Sequence, residues 1–202
     1  GDAVDRVVLG RLTGADARLV PTLAQVVGAR RIPAVAQLKP LLASTDAATR
    51  AAVIEALGNV VDLENLQVLV DVAQKPRDPV EAEAAHKALQ SACVRMPDRD
   101  ACAAKLDAAI QAMAGDTKLK VLEIVGEVGG TKALATVATA AKSKEESVAD
   151  TATRLLGKWM TADAAPVLLD LAAAPIAEKY QTRALRGYIR IARQFALPDA
   201  ER

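Results

Sequence analysis

In the stretch DAATRAAVIEALGNVVDLENLQVLVDVAQ (residues 46–74), two apolar patterns follow each other. The first half has apolar residues at helical spacing, at Ala52, Val53, Ala56, Leu57 and Val60. The second half repeats that spacing at Leu66, Leu69, Val70 and Val72. Neither half alternates between apolar and polar residues as a half-buried strand does. The stretch therefore predicts two helices, each with one broad apolar face.

The same arrangement recurs along the chain. Apolar helical segments end in glycine at intervals of about 30 residues, at Gly28, Gly58, Gly126 and Gly157. Gln90 takes the equivalent position in a further copy, and a second, shorter apolar helix follows each segment. The predicted repeats span approximately 16–43, 46–74, 79–114, 116–142 and 145–174, with a partial copy at 176–202.

A single pair of short amphipathic helices cannot bury its apolar faces, whereas a stack of pairs can. The pattern therefore predicts an all-α chain that forms one domain over residues 1–202. The expected fold is a right-handed α-solenoid of about five antiparallel helix pairs, with partial helices at both ends.

Several local signals place the helix ends. Asp78 precedes Pro79 and is expected to cap a helix there. Ser143 and Glu146 have the spacing of a capping box. Pro21 and Pro40 interrupt apolar helical patterns, so each predicts a kink or a late helix start.

The period and the helix–turn–helix content resemble the HEAT-like, armadillo-type repeat family over nearly the whole chain. Tetratricopeptide repeats are the main structural alternative, but their aromatic-rich motif is absent. In residues 126–202, the segments VGGTKAL, ADTATRLLGKWMTADAAPVLLDLA and KYQTRALRGYIRIARQFALPDAER are similar to repeat arrays in large secreted bacterial proteins. Those arrays accompany 3-keto-disaccharide hydrolase or haem-binding domains, so this resemblance implies an accessory module and carries over no catalytic residue.

Composition narrows the classes of partner. The formal net charge of +1 predicts no global field that would attract nucleic acid or an anionic membrane. No apolar run approaches the roughly 20 residues that span a bilayer. The chain starts at Gly1, and its final LPDAER is typical of the entry to another helix. We therefore expect an excised part of a larger bacterial protein.

Residues that carry enzymatic chemistry are sparse. The single histidine, His86, lies in a helical stretch, where a surface or packing role is more common than catalysis. One histidine and two cysteines cannot complete a structural zinc site. The segment GEVGGTK (126–132) lacks the spacing of a phosphate-binding loop. The sequence predicts no catalytic, cofactor-binding or metal-binding residue, and no enzyme.

Cys93 and Cys102 flank the turn VRMPDRDA. If that turn joins two antiparallel helices, the two Cβ atoms could come within disulfide reach. The alternative is a pair of small buried thiols, which are common in helical cores. A bridge would indicate a periplasmic or secreted protein, which is favoured here over a cytoplasmic one because the resemblance points the same way.

The last predicted helix has the most distinctive surface. Four arginines recur on one stripe, at Arg183, Arg186, Arg190 and Arg193. Leu185, Tyr188, Ile189 and Ala192 occupy its other side. All four aromatic residues lie in this last quarter of the chain, at Trp159, Tyr180, Tyr188 and Phe195.

Arginines and aromatics together are typical of protein interfaces. We therefore name Arg183, Arg186, Arg190, Arg193, Trp159, Tyr180 and Tyr188 as a candidate partner surface. The alternative is a solvated face whose arginines form salt bridges between repeats and whose aromatics fill the terminal repeat.

These observations predict a non-catalytic scaffold for protein–protein or interdomain contact, because solenoids present long surfaces without polar catalytic clusters. One alternative is nucleic-acid binding, which needs a basic face with aromatics for stacking. Another is an accessory module of a carbohydrate-active enzyme. Protein, or a flanking domain of the same chain, is the expected partner, without cofactor, membrane or nucleic acid.

Overall fold

The computed structural model describes residues 2–14, 16 and 18–195. These residues form twelve α-helices and one short 3₁₀ segment, and none of them lies in a β-strand. The prediction of an all-α solenoid is confirmed. The segment LPDAER and the rest of 196–202 lie outside the described residues. The helices divide into two compact units, Gly1–Pro97 and Asp98–Arg202.

Unit 1 is a stack of longer helices with shorter ones beside them. Its helices are α1 (Asp2–Leu12), α2 (Val20–Arg30), α3 (Val35–Leu38), α4 (Ala47–Val60), α5 (Gln67–Gln74) and α6 (Pro79–Arg95). The 3₁₀ segment Lys39–Ala43 follows α3 directly. Helix α4 packs against both α2 and α6, and α5 packs against α6. Residues Ile54, Leu57, Leu66 and Leu69 are fully buried between them.

Unit 2 continues the helix pairs. Its helices are α7 (Arg99–Ile110), α8 (Gly115–Val128), α9 (Gly130–Ala140), α10 (Glu146–Gly157), α11 (Ala164–Ala173) and α12 (Glu178–Gln194). Helix α7 packs against α8 and α9, and α10 packs against the same two helices. Helix α12 then packs against α10 and α11. The largest fully buried side chains include Leu106, Leu122, Ile124, Leu156, Leu168 and Ile191.

Three predicted repeats coincide with helix pairs: 46–74 with α4 and α5, 116–142 with α8 and α9, and 145–174 with α10 and α11. The predicted repeat 79–114 instead contains α6 and α7, and the boundary between the two units falls between these helices. That the whole chain forms one domain stays a prediction.

Most of the helix-end signals act as expected. An Asp78 carboxylate oxygen accepts a hydrogen bond of 2.8 Å from the backbone N–H of Glu81 and caps α6. Pro21 lies in the first turn of α2. Helix α3 ends at Leu38, and Pro40 lies in the first turn of the 3₁₀ segment that follows. The capping box at Ser143 is wrong: α10 begins only at Glu146, and Ser143 accepts from the N–H of Glu145 instead.

The recurrent glycines mark contacts between stacked helices. A Cβ atom added at Gly58 of α4 would lie 2.7 Å from the Cα atom of Ala88 in α6. One added at Gly28 of α2 would lie 3.0 Å from the Cα atom of Ala56 in α4. Real Cβ atoms essentially never show the first distance, and the second is tighter than nearly all real contacts. Glycine therefore lets the helices approach more closely than any larger residue would allow.

Candidate partner surface on the last helix

Helix α12 buries one narrow face against its neighbours. Its buried residues are Tyr180, Ala184, Gly187 and Ile191, which follow each other at helical spacing. A Cβ atom at Gly187 would lie 3.0 Å from the Cα atom of Gly157, so α10 and α12 are in backbone contact there. The remaining faces of α12 carry the predicted surface residues.

Two of the four arginines are engaged within unit 2. Arg183 donates from Nη1 to the carbonyl oxygen of Asp150, at 3.0 Å, and to Thr153 Oγ1, at 2.9 Å. It also forms an ion pair of 3.2 Å with the Asp150 carboxylate. Arg190 donates from Nη2 to the carbonyl oxygens of Gly157 and Trp159. Both arginines therefore attach α12 to α10 and to the segment that follows it.

Arg190 has a further role at the end of α10. Gly157 is the last residue of that helix, where carbonyl groups have no partner inside the helix. A guanidinium group that donates to them satisfies these acceptors and places positive charge at the negative end of the helix dipole. Its contacts are structural, so Arg190 is removed from the candidate surface together with Arg183.

The other two arginines face solvent. Arg186 and Arg193 are exposed, and neither has a hydrogen-bond or ion-pair partner among the described residues. Leu185 and Ile189 lie beside them, with 42% and 47% of their surface exposed. Arg186, Ile189, Arg190, Arg193 and Gln194 line a shallow depression on this side of the helix. We call Leu185, Arg186, Ile189 and Arg193 the outer face of α12.

The aromatic part of the predicted surface lies mostly in the core. Trp159 and Tyr180 are buried, with 6% and 2% of their surface exposed, so they are removed from the candidate surface. The Trp159 indole donates to Thr161 Oγ1 at 3.0 Å, and the Tyr180 hydroxyl donates to the carbonyl oxygen of Glu146. Tyr188 is half-buried, and Phe195 is half-buried beyond the end of α12.

Lys179 strengthens the attachment at the start of α12. Its ammonium group lies 2.7 Å from Glu146 and 5.0 Å from the centroid of the Tyr180 ring. The hydrogen bond to Glu146 raises the pKa of Lys179 above its usual value, with a smaller contribution from the charge of that carboxylate. Lys179, Arg183 and Arg190 thus serve packing, whereas Arg186 and Arg193 do not.

Unit 1 contains a buried ionic network that the sequence analysis did not identify. Arg50 of α4 donates to Glu81 at 2.7 Å and to Asp78 at 2.8 Å, and Arg50 and Glu81 are almost fully buried. Its Nη1 also donates to the carbonyl oxygens of Ser44 and Thr45. The pairing joins residues about 30 positions apart, and nothing in the local sequence shows which acidic residues Arg50 meets.

The network shifts two pKa values. The hydrogen bond that the guanidinium group donates to the Glu81 carboxylate raises the pKa of Arg50 above its usual value. The backbone N–H of Glu81, and then the charge of Arg50, lower the pKa of Asp78. Both groups are therefore charged over the physiological pH range, and the network fastens the start of α4 to the start of α6.

The remaining chemical candidates have packing positions. Cys93 and Cys102 are both buried, and the bridge between them stays a prediction. His86 is half-buried on α6. Within the described residues, no group of His, Cys, Asp and Glu side chains is arranged to hold a metal ion. Nor does any helix of this part of the chain have the length and apolar character needed to cross a membrane.

The stacked helix pairs define the class of the protein, an α-solenoid. Residues 8–90 match the family model described as HEAT repeats. No curated protein matches the sequence.

Solved structures with similar folds have low sequence identity to this chain. An engineered protein is 18% identical, with a TM-score of 0.50, and the match covers 94% of this chain and 96% of that one. The complex of CpcE and CpcF of phycocyanin lyase from Nostoc sp. PCC7120 is 18% identical, with a TM-score of 0.48 and coverage of 98% and 90%. Human deoxyhypusine hydroxylase is also 18% identical, with a TM-score of 0.40 and coverage of 96% and 75%. At this identity the first likeness shows the fold alone, and the other two carry no argument.

Proposed function

We propose that this chain is a non-catalytic helical-repeat scaffold that holds a protein partner at the outer face of α12. The observation that carries the proposal is the contrast among the arginines of this helix. Arg183 and Arg190 are engaged in packing, whereas Arg186 and Arg193 are exposed without a partner in the described part of the chain.

Two exposed aliphatic side chains support a binding role for this face. Leu185 and Ile189 are one helical turn apart and therefore adjacent on the surface. A single exposed aliphatic residue is ordinary, but an apolar pair beside arginines has the composition of an interface centre. Arginine in particular is enriched at interfaces because it combines a long apolar stem with directional hydrogen bonds.

The proposal that the chain performs no catalysis has separate support. Every fully buried side-chain nitrogen or oxygen of the described residues has a hydrogen-bond partner. The most buried ionic group, Arg50 with Glu81, joins two helices of one unit. Polar groups inside this fold are thus committed to packing, as a scaffold requires.

Affinity capture from the native source tests the proposal. Three baits are compared: the unaltered chain, the double variant Leu185→Asp/Ile189→Asp, and the matched control Val80→Asp/Val94→Asp on exposed positions of α6. Captured proteins are identified by mass spectrometry, purified and titrated against each bait by calorimetry. We expect one protein to bind the unaltered chain and the control equally and to lose affinity for the α12 variant.

Two other results carry different meanings. If a purified protein binds all three baits equally, the chain is a scaffold but the contact lies outside α12. If no protein binds any bait directly, the scaffold proposal is wrong, and a spacer role replaces it.

The resemblance of residues 126–202 to arrays in large secreted bacterial proteins supports a narrower form of the proposal. In that form the partner is an extracellular carbohydrate-active or haem-binding protein. The same experiment tests it, because the identity of the captured protein either matches these classes or does not.

A further inference from the structure

The contacts between stacked helices define equivalent positions along the chain. In unit 1, Gly28 of α2 contacts Ala56 of α4. Two positions after Ala56, on the same helix, Gly58 contacts Ala88 of α6. Two residues correspond to about 200° around a helix, so the two positions lie on opposite faces. Gly28 faces α4 and Gly58 faces α6, which in each case is the next long helix of the stack. We call this position the stacking position, and we call the helix that it faces the following helix.

Unit 2 follows the same rule. Gly126 of α8 contacts Leu155 of α10. Gly157 lies two positions after Leu155 and contacts Gly187 of α12. Two positions after Gly187 lies Ile189. Helix α12 therefore has isoleucine at the stacking position, where the helices α2, α4, α8 and α10 have glycine.

The residue one turn before the stacking position shows whether that face is covered. In α2, α4, α8 and α10 this residue is at most 1% exposed; it is Ala24, Ile54, Leu122 and Thr153 in turn. In α12 it is Leu185, which is 42% exposed. The outer face of α12 thus corresponds to a face that a following helix covers elsewhere in both units.

In unit 2, charged residues flank this face. The residue three positions before the stacking position is Glu123 in α8 and Arg154 in α10. These two residues form an ion pair of 2.9 Å between neighbouring helices. The same position in α12 is Arg186, which has no partner among the described residues. A helix placed on α12 in the same manner would therefore present its own residue to Arg186, and a carboxylate would complete the pair.

The net charge of α12 favours the same chemistry. Glu178 is its single acidic residue, at the first position, whereas its basic residues are Lys179, Arg183, Arg186, Arg190 and Arg193. A second copy of this chain would oppose Arg186 and Arg193 with the same arginines, which like-charge repulsion disfavours. These charges favour an acidic occupant over symmetric pairing of two α12 faces.

Ile189 determines how closely that occupant can approach. Gly157 allows backbone contact between α10 and α12, whereas Ile189 keeps a following helix farther away. A following helix therefore cannot make the backbone contact seen between α10 and α12. A partner helix with a small residue opposite Ile189 fits this face, as large and small residues already meet at Leu155 and Gly126.

We propose that the outer face of α12 binds an acidic amphipathic helix of another protein. The helix contributes an apolar edge with a small residue opposite Ile189, and carboxylates opposite Arg186 and Arg193. This inference rests on the proposed scaffold function and specifies the chemistry of the partner.

A displayed library of helical peptides tests the proposal. Peptides of about 18 residues, roughly five turns, carry an Ala/Leu seam. Their flanking positions are randomised evenly among Glu, Lys and Gln, and their central seam position among Gly, Ala and Leu. They are selected on the whole immobilised chain and counter-selected on Leu185→Asp/Ile189→Asp. Both altered residues are exposed, so the variant is expected to fold, which circular dichroism and melting temperature verify.

We expect the selected peptides to be enriched in Glu at the flanks and in Gly or Ala at the centre. Their affinity should fall by about tenfold or more for Arg186→Glu/Arg193→Glu, because two charge pairs become repulsive. The same variant should in turn bind the Lys-substituted version of each peptide. The control Arg6→Glu/Arg11→Glu, on exposed positions of α1, should leave binding unchanged.

Other outcomes overturn the inference. Failure to recover peptides that distinguish the chain from its aspartate variant would show that the face does not bind a helix. Recovery of basic or neutral peptides would show that the partner is not acidic. A concentration-dependent dimer in sedimentation that the aspartate substitutions abolish would assign the face to a second copy. The capture experiment with the same aspartate variant separates each of these results from failure of the scaffold function itself.

Discussion

Small residues control the distance between stacked helices. At Gly58 the Cα atom of Ala88 occupies the space that a Cβ atom would need. At Gly10 of α1 an added Cβ atom would meet nothing within 4 Å. Both glycines lie inside helices, where alanine has the higher intrinsic propensity. At Gly58, therefore, helix packing favours glycine whereas helix propensity favours alanine. At Gly10 packing has no preference, so only the helix propensity distinguishes the two residues.

We predict opposite effects for the same substitution at these two sites. Gly10→Ala should stabilise the chain by about 0.5–1 kcal/mol because it reduces the backbone entropy lost on folding. Gly58→Ala should destabilise it by about 1–3 kcal/mol because α4 and α6 must separate. Urea unfolding followed by circular dichroism measures both. Equal effects at the two sites would contradict a role for Gly58 in helix contact.

The Arg50 network makes the stability of unit 1 depend on pH. The folded chain lowers the pKa of Asp78, so the unfolded chain binds more protons in the acid range. The stabilising effect of this carboxylate is therefore complete above its unfolded pKa of about 4 and is lost as pH falls through the folded pKa.

We predict that Asp78→Asn flattens the acid limb of the stability curve. Between about pH 5 and pH 2.5, the melting temperature of the unaltered chain should fall more steeply than that of the variant. Asp170→Asn, at an exposed position of α11, is the control, and its melting temperature should fall with pH as steeply as that of the unaltered chain. If Asp78→Asn and Asp170→Asn gave the same slope, the contribution of the Asp78 carboxylate to stability would be refuted.

At the scale of the element, α12 has two kinds of basic residue. Arg190 donates to carbonyl oxygens at and beyond the end of α10, whereas Arg193, less than one turn away, faces solvent. The two arginines belong to one sequence stripe, yet only the first contributes to packing. Substitution at the two positions should therefore separate stability from binding.

We predict that Arg190→Ala destabilises the chain by about 1 kcal/mol, the contribution of a charged hydrogen bond that is partly exposed to solvent. Arg193→Ala should leave stability within about 0.5 kcal/mol, as is usual for a surface change. Trp159, the only tryptophan, lies beside the Arg190 contact and reports unfolding by fluorescence. If Arg193→Ala lowered the stability more than Arg190→Ala, the assignment of Arg190 to packing and of Arg193 to the exposed surface would be wrong.

At the scale of the whole molecule, basic and acidic residues nearly balance, and an excess of positive charge lies on α12. The chain has 26 basic and 25 acidic residues, so α12 is a basic element within a nearly neutral protein. Binding of nucleic acid depends on the release of several counterions by a broad basic surface. Two exposed arginines on one helix do not form such a surface.

We predict no measurable affinity for nucleic acid near 0.15 M salt, where a broad basic surface is needed to hold the phosphate backbone. Fluorescence anisotropy of a short labelled duplex and of the matching single strand measures this. Binding that weakened steeply as salt increased would revive the nucleic-acid alternative. Arg186→Glu/Arg193→Glu would then show whether α12 is the contact.

The sequence alone determined the fold class, the repeat period and several helix ends. The apolar spacing of residues 46–74, the cap at Asp78 and the breaks at Pro21 and Pro40 depend on groups within about one or two helical turns. Such local interactions can be recognised without the tertiary structure. The failed capping box at Ser143 shows their limit, because the actual start of α10 decides which N–H the hydroxyl group meets.

Only the tertiary structure decided which residues of α12 can reach a partner. Helix α12 is apolar on two sides, at Tyr180, Ala184, Gly187 and Ile191 and at Leu185 and Ile189, so periodicity cannot tell the core side from the open one. The choice depends on contacts with residues about 30 positions away, such as Gly187 with Gly157 and Arg183 with Asp150. Stacking buries Trp159 and Tyr180 and engages Arg183 and Arg190, and it leaves Leu185, Arg186, Ile189 and Arg193 exposed.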